Sequence, residues 1–231
     1  MLKRILKSLK YPIHYKDDYI ENLRKINAGM LHHGNILCFN YAIKNLPSKK
    51  PIVEIGTFCG LSANVITYFK RIHFRNNILI TLDNRVVSDY TKLVGQSDLT
   101  YPQIDKYIKE SLIKNLLTFS KNDIPYALDV SSDTFFDSWG EKSICKDLFD
   151  RDIALGGQIS FAYIDGNHKY DFVERDFNNC DKYLENNGFI LFDDSADFTE
   201  WEVRNVIKKV KKTNRYKIIM KNPNYLFQKI H

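Results

Sequence analysis

Residues 161–195 read FAYIDGNHKYDFVERDFNNCDKYLENNGFILFDDS. Two apolar runs in this stretch stop abruptly at carboxylates. Phe161-Ala162-Tyr163-Ile164 ends at Asp165, and Phe189-Ile190-Leu191-Phe192 ends at Asp193 and Asp194. Between them lies an amphipathic segment of helical length. The pattern is strand, helix, strand, with acids at the carboxyl ends of both strands. In an open α/β sheet, ligands bind at those ends. Three carboxylates gathered there repel one another unless a cation or a proton intervenes. A hard divalent metal is therefore the first expectation.

The remainder of the chain repeats the alternation. Residues 17–46 carry helical spacing and stop at Leu46-Pro47. PIVEIG is a short β-branched run entering a glycine, and Leu61 to Arg71 reads as the helix after it. NNILITLDN is a second strand ending at Asp83. Helical spacing returns over residues 103–119, a strand is expected over Ile124–Val130, and Ser132–Trp139 suits a short helix. After the strand at 159–164, Tyr170–Leu184 is helical, with Asn186-Asn187-Gly188 as its stop. Thr199–Lys212 is the last helix, and YKIIM and YLFQKI form a closing hairpin. Strands alternating with helices predict a doubly wound, mostly parallel α/β sheet of seven strands ending in an antiparallel hairpin. A helical segment over 1–46 would precede a single domain over 47–231. Segments 84–102 and 141–158 do not fit the repeat and are expected to be loops or a lid.

Bulk properties exclude several classes. A chain of 231 residues supports one substantial core. Hydrophobic content of 44% and charged content of 27% are ordinary for a globular protein. The net charge of +6 is modest. Much of it crowds Arg204, Lys208, Lys209, Lys211, Lys212, Arg215 and Lys217, read as a solvated helix face rather than a nucleic-acid interface. Cys38, Cys59, Cys145 and Cys180 form no CxxC pair, which argues against a zinc site or disulfide framework and favours reduced thiols in the cytoplasm. No run approaches the ~20 apolar residues of a membrane span. MLKRILKSLK is amphipathic but lacks a signal peptide's apolar region. The N-terminal helices and scattered aromatics are compatible with a homodimer.

Two further motifs carry chemistry. In Glu54-Ile55-Gly56-Thr57-Phe58-Cys59-Gly60 a strand ends, glycines permit a tight turn and close backbone approach, and a helix begins. The same turn serves an ordinary strand–helix junction, but Glu54 adds a carboxylate able to meet a cationic ligand group. The Gly-x-Gly-x-x-Gly spacing of a dinucleotide fingerprint is absent, which counts against NAD. Asp83 ends the second strand, where an acid either hydrogen-bonds ribose hydroxyls or caps a turn.

Taken together, EIGTFCG, Asp83 and the terminal hairpin resemble class I S-adenosylmethionine-dependent methyltransferases. YIDGNHKYDFVERDF and NNGFILFDDS narrow the likeness to small-molecule O-methyltransferases, the macrocin and aminocoumarin sugar enzymes and, more distantly, the catechol type. The resemblance covers roughly residues 50–230. It implies that Gly56, Thr57 and Gly60 approach the methionine part of the cofactor, that Glu54 sits near its amino group, and that Asp83 holds the ribose. ALDVSSDTFF resembles the segment meeting adenine, which makes Ser132 a candidate there. Asp165 is expected beside the cofactor as well, and Asp165, Asp193 and Asp194 are the implied ligands of Mg²⁺ or another divalent cation. Residue by residue, each has a plainer alternative: Asp165 as a turn residue, Asp193-Asp194 as a helix cap, His168 as a loop histidine.

The sugar enzymes often carry an acid two residues after the Asp that ends this strand. Here that position is Asn167, which takes no proton at neutral pH, so the general base falls to His168. A metal-bound hydroxyl has a lowered pKa, and an imidazole accepts its proton near neutrality. The resulting expectation is S-adenosylmethionine-dependent O-methylation of a sugar-like small molecule. The competing expectations are a metal-independent enzyme of the same fold and a cofactor-binding protein without turnover.

Overall fold

The computed structural model describes residues 12–84 and 99–231. The predicted amphipathic N-terminal segment over 1–10, and most of segment 84–102, lie outside the described residues. Seven helices are described in chain order: α1 (Asp18–Ile26), α2 (His33–Lys44), α3 (Leu61–Ile72), α4 (Tyr101–Phe119), α5 (Ser132–Glu141), α6 (Tyr170–Tyr183) and α7 (Val203–Lys212). The strands are β1 (Ile52–Ile55), β2 (Leu79–Leu82), β3 (Tyr126–Leu128), β4 (Ile144–Lys146), β5 (Asp152–Ala154), β6 (Ile159–Ile164), β7 (Leu184–Phe192), β8 (Tyr216–Lys221) and β9 (Tyr225–Lys229).

The main sheet has seven strands in the order β3-β2-β1-β6-β7-β9-β8. In that order the strands from β3 to β7 are parallel, and β9 runs antiparallel to both β7 and β8. The predicted doubly wound sheet with a reversed terminal hairpin is the observed one. The order reverses between β1 and β6, so the crevice outside their carboxyl ends is the natural ligand site.

Burial explains why these strands read as unbroken apolar runs. Every residue of β1, β2 and β6 is buried, as helices on both faces require. Successive side chains serve opposite faces. Ala162, Ile164, Ile190 and Phe192 pack with Phe135 and Trp139 of α5, Val173 and Phe177 of α6, and the Val203, Val206, Ile207 and Val210 stripe of α7. Phe161, Tyr163, Phe189 and Leu191 pack on the other face with α1, α2, α3 and α4.

Three sequence expectations shift. The helical stretch over 17–46 divides in two. The Asp17 side chain caps α1 by accepting from the Ile20 amide at 3.0 Å, and α2 starts afresh with the His32 ring accepting from the Gly34 amide at 3.0 Å. Segment 141–158 contains a two-stranded antiparallel β4–β5 sheet rather than loop alone. The last helix begins at Val203, because 193–202 forms an irregular loop beside the strand ends. No helix among the described residues is long and apolar enough to cross a membrane.

Candidate active site

The glycine turn after β1 is shaped from both sides. Gly56 has φ +91°, and a Cβ placed there would lie 1.9 Å from the carbonyl oxygen of Asp165. The turn after β1 therefore touches the turn after β6, and only glycine permits that approach. Gly60 has φ +86° and opens α3. Asp83, at the end of β2, accepts from the amides of Thr57 at 3.1 Å and Phe58 at 2.8 Å through Oδ2. Asp83, the expected ribose carboxylate, thus fixes the glycine turn. Thr57 turns its hydroxyl inward, bonded to that of Thr81.

Glu54 is fully buried. Its Oε2 accepts from the Thr81 hydroxyl at 2.6 Å, while Oε1 has no hydrogen-bond partner. Burial pushes the carboxyl up to about 7, against the pull of the Ser62 and Thr81 hydroxyls. A buried acceptor left unmatched is costly, and a cationic donor such as an α-ammonium group would satisfy it. Ser132, the adenine candidate, is the first residue of α5. Its hydroxyl is engaged with the buried carboxyl of Asp176 on α6, which burial pushes up to about 6.

The acids ending β6 and β7 come together as expected, with His168 among them. Oxygens of Asp165 and Asp193 and a ring nitrogen of His168 lie within 4.8 Å of one another. Asp194 stands on the other side of the ring: its Oδ2 is 3.2 Å from His168 Nδ1, while Nε2 is 3.5 Å from Asp165 Oδ1. Nε2 is buried and makes no hydrogen bond of good geometry. Burial alone would lower the His168 pKa. The flanking carboxylates of Asp165 and Asp194 outweigh it and push the ring up to about 10. In this arrangement the two carboxylates favour the protonated form of the imidazole. Burial, then the charges of Asp165 and Asp194, hold Asp193 well above the usual carboxylate range.

The supporting residues carried no such signal in the sequence. Asp193 Oδ1 accepts from the side-chain amides of Asn35, on α2, and Asn224, before β9 at 3.0 Å. Asn224 Nδ2 also reaches Asn35 Oδ1 at 3.0 Å. Tyr163 donates its hydroxyl to Asp165 Oδ2 at 2.8 Å. One oxygen of Asp165 and one of Asp193 are thereby tied by neutral donors, which orient the two side chains. Tyr163 alone had a local signal, two residues before Asp165 on the same strand face.

A family model described as a methyltransferase domain matches residues 53–195, more than half of the chain. The chain belongs to this methyltransferase-domain family. Solved structures share its fold at low identity. The O-methyltransferase from Bacillus cereus, in complex with S-adenosylhomocysteine, superposes with a TM-score of 0.59 at 13% identity, covering 94% of this chain and 92% of that one. The O-methyltransferase NovP gives 0.57 at 13% identity, with 97% and 94% covered. CalS11, a TDP-rhamnose 3'-O-methyltransferase of calicheamicin biosynthesis, gives 0.54 at 15% identity, with 98% and 92% covered. An uncharacterized protein of Acanthamoeba polyphaga mimivirus is 24% identical over 159 residues, 59% of this chain and 71% of that protein. The class I methyltransferase resemblance and the S-adenosylmethionine-dependent fold it implied are borne out. Asn35 and Asn224, which brace Asp193 of this methyltransferase, both lie outside the matched segment.

Proposed function

We propose that this methyltransferase transfers the methyl group of S-adenosylmethionine to a hydroxyl oxygen of a small, sugar-like acceptor, with a divalent cation such as Mg²⁺ assisting. The observation that carries the reading is the contact between Gly56 and the Asp165 backbone. It brings the glycine turn against the cluster of Asp165, His168 and Asp193, which supports a methyl donor and a hydroxyl meeting there.

The residues fit both groups. The unmatched Oε1 of Glu54 suits the cofactor's ammonium, and the constrained Gly56–Gly60 turn leaves backbone to approach its methionine portion. For a cation, Asp165 and Asp193 are the donors common to every arrangement. His168 is the third by position, because its unpartnered Nε2 joins them while Nδ1 faces Asp194. A ring nitrogen facing a carboxylate is the usual support of a metal-bound histidine. Asp194, expected as a direct ligand, would then orient His168. When bound, the cation would lower the pKa of a coordinated hydroxyl and fix its angle. The protein's own residues do the rest by position: Asn35, Asn224 and Tyr163 aim the acids, and Asp83 holds the turn. An activated sulfonium methyl then needs chiefly in-line alignment with the oxygen. Sugar acceptors are supported by the TDP-rhamnose enzyme that shares the fold. The free thiols of Cys38, Cys59, Cys145 and Cys180 support a reducing, cytoplasmic setting.

One observation favours a second reading. The His168 ring lies between Asp165 and Asp194, at 3.5 and 3.2 Å, so a protonated imidazole would offset their charge and the cluster could bind acceptor hydroxyls with no metal. Chelator decides between them: activity lost with EDTA and restored by Mg²⁺ or Mn²⁺ supports the metal, and undiminished activity removes it. Asp165→Ala should abolish turnover, with cofactor affinity, read by calorimetry, within about tenfold of wild type. Turnover near the wild-type rate in that variant would exclude the cluster from the reaction.

A further inference from the structure

Of the two tryptophans, Trp139 is 1% exposed, with its indole N–H donating to the Gly157 carbonyl at 2.8 Å. It is a core residue. Trp201 is 53% exposed and lies on the 193–202 loop that follows the acids. Its ring meets the His168 imidazole nearly edge to face, with centroids 5.1 Å apart and planes at 76°. The indole is therefore one side chain away from Asp165 and Asp194.

This exposure does not come from a loose loop. Asp197 accepts from the Tyr225 hydroxyl at 2.5 Å and pairs with Lys221. Glu202, next to Trp201, accepts from the Tyr170 amide at 2.6 Å through Oε2. The loop is pinned to the terminal hairpin before the tryptophan and to the start of α6 after it. A rigid indole is thus held half exposed beside a polar cluster.

We infer that Trp201 is the platform on which the acceptor ring lies, and that the acceptor is a pyranose. Resting on the proposed methyl transfer, this names what the site binds. A pyranose has an apolar C–H face for the indole and adjacent hydroxyls for the acids. Indole offers a rigid apolar face with little rotamer entropy to lose. Three carboxylates disfavour an acceptor whose own carboxylate would enter the cluster and suit one rich in hydroxyl donors.

The test uses the full-length protein loaded with S-adenosylhomocysteine. It is titrated with TDP-rhamnose, UDP-glucose, methyl α-rhamnopyranoside and catechol. Tryptophan emission and calorimetry are read together. At least one sugar should give a saturable change in emission, and Trp201→Phe should remove that change while keeping sugar affinity within about threefold. Trp201→Ala should weaken sugar binding about tenfold or more, with affinity for S-adenosylhomocysteine within twofold. Sugar binding in wild type without an emission change, or unweakened in the alanine variant, would overturn the platform. Binding of catechol alone, or of no acceptor, would overturn the pyranose assignment. In each of these cases S-adenosylhomocysteine still binds and the methyltransferase reading stands. Failure to bind S-adenosylhomocysteine at all would take down both.

Discussion

Glu54 is a buried carboxyl that is unfavourable to the protein by itself and that the proposed cofactor would match. With Oε1 unmatched, it holds its proton up to about 7 rather than releasing it near 4.5. Between those values the folded state binds more protons than the unfolded state, so this group's contribution to stability falls as pH rises. The cost is complete above about 7. At about 1.4 kcal/mol for each tenfold loss of acidity, it amounts to roughly 3 kcal/mol. Glu54→Gln removes the titration. In the cofactor-free protein, urea midpoints at pH 5 and pH 8 should show the variant gaining on wild type as pH rises. The same variant loses the charge proposed to meet the cofactor's ammonium, so its affinity for S-adenosylhomocysteine should fall about tenfold or more. Parallel stability curves for the two proteins would mean that Glu54 is charged throughout, already partnered.

Helix α2 matters because it carries one side chain to Asp193. Asn35 is fully buried at its N-terminal end, and its amide reaches a carboxylate 158 positions later. Asn35→Ala should leave the acid short of a donor, at a stability cost of about 1–3 kcal/mol. Removing such an outer support should weaken Mn²⁺ binding, followed by electron paramagnetic resonance, by roughly 10–100-fold. Affinity for S-adenosylhomocysteine should stay within twofold, because the Asn35 side chain bonds to Tyr163, Asp193 and Asn224 rather than to the glycine turn. Equal Mn²⁺ affinity in both proteins would make Asn35 a packing residue only. The contrast with the strands explains what the sequence could tell. Strands β1, β2 and β6 and the Phe189–Phe192 end of β7 are buried, so their apolar runs and the acids within or just after them were local signals, and Glu54, Asp83, Asp165, Asp193 and Asp194 followed from them. The bracing amides had no such signal: asparagines are frequent in turns, and no short-range period links residue 35 to residues 193 and 224. The three-residue strands β4 and β5 were equally hidden. They are mostly exposed, and only Ile153 among them is buried.

For the whole molecule, the question is whether residues 1–46 are an appendage to a domain over 47–231 or part of what makes that domain fold. Ile36, Cys38, Phe39, Ala42 and Ile43 of α2 are all fully buried. Phe39 lies edge to face on Tyr163 at 4.8 Å and on Phe161 at 6.2 Å. These partners are the face of β6 opposite the one covered by α5 and α6. Without α1 and α2, Phe161, Tyr163 and Phe189 of the central strands would lose the cover that Phe39 and Tyr41 give them on that side. Uncovering each large apolar side chain costs about 1.5–3 kcal/mol. Several at once reach on the order of 10 kcal/mol, as large as the entire stability of a typical domain, about 5–15 kcal/mol. The shortened chain 47–231 should therefore lack a cooperative urea transition and fixed near-ultraviolet circular dichroism, even though it contains the whole family-matched segment. A single sharp transition together with S-adenosylhomocysteine binding in that chain would show that the sheet is self-sufficient. The N-terminal helices would then serve the acid cluster alone, by way of Asn35.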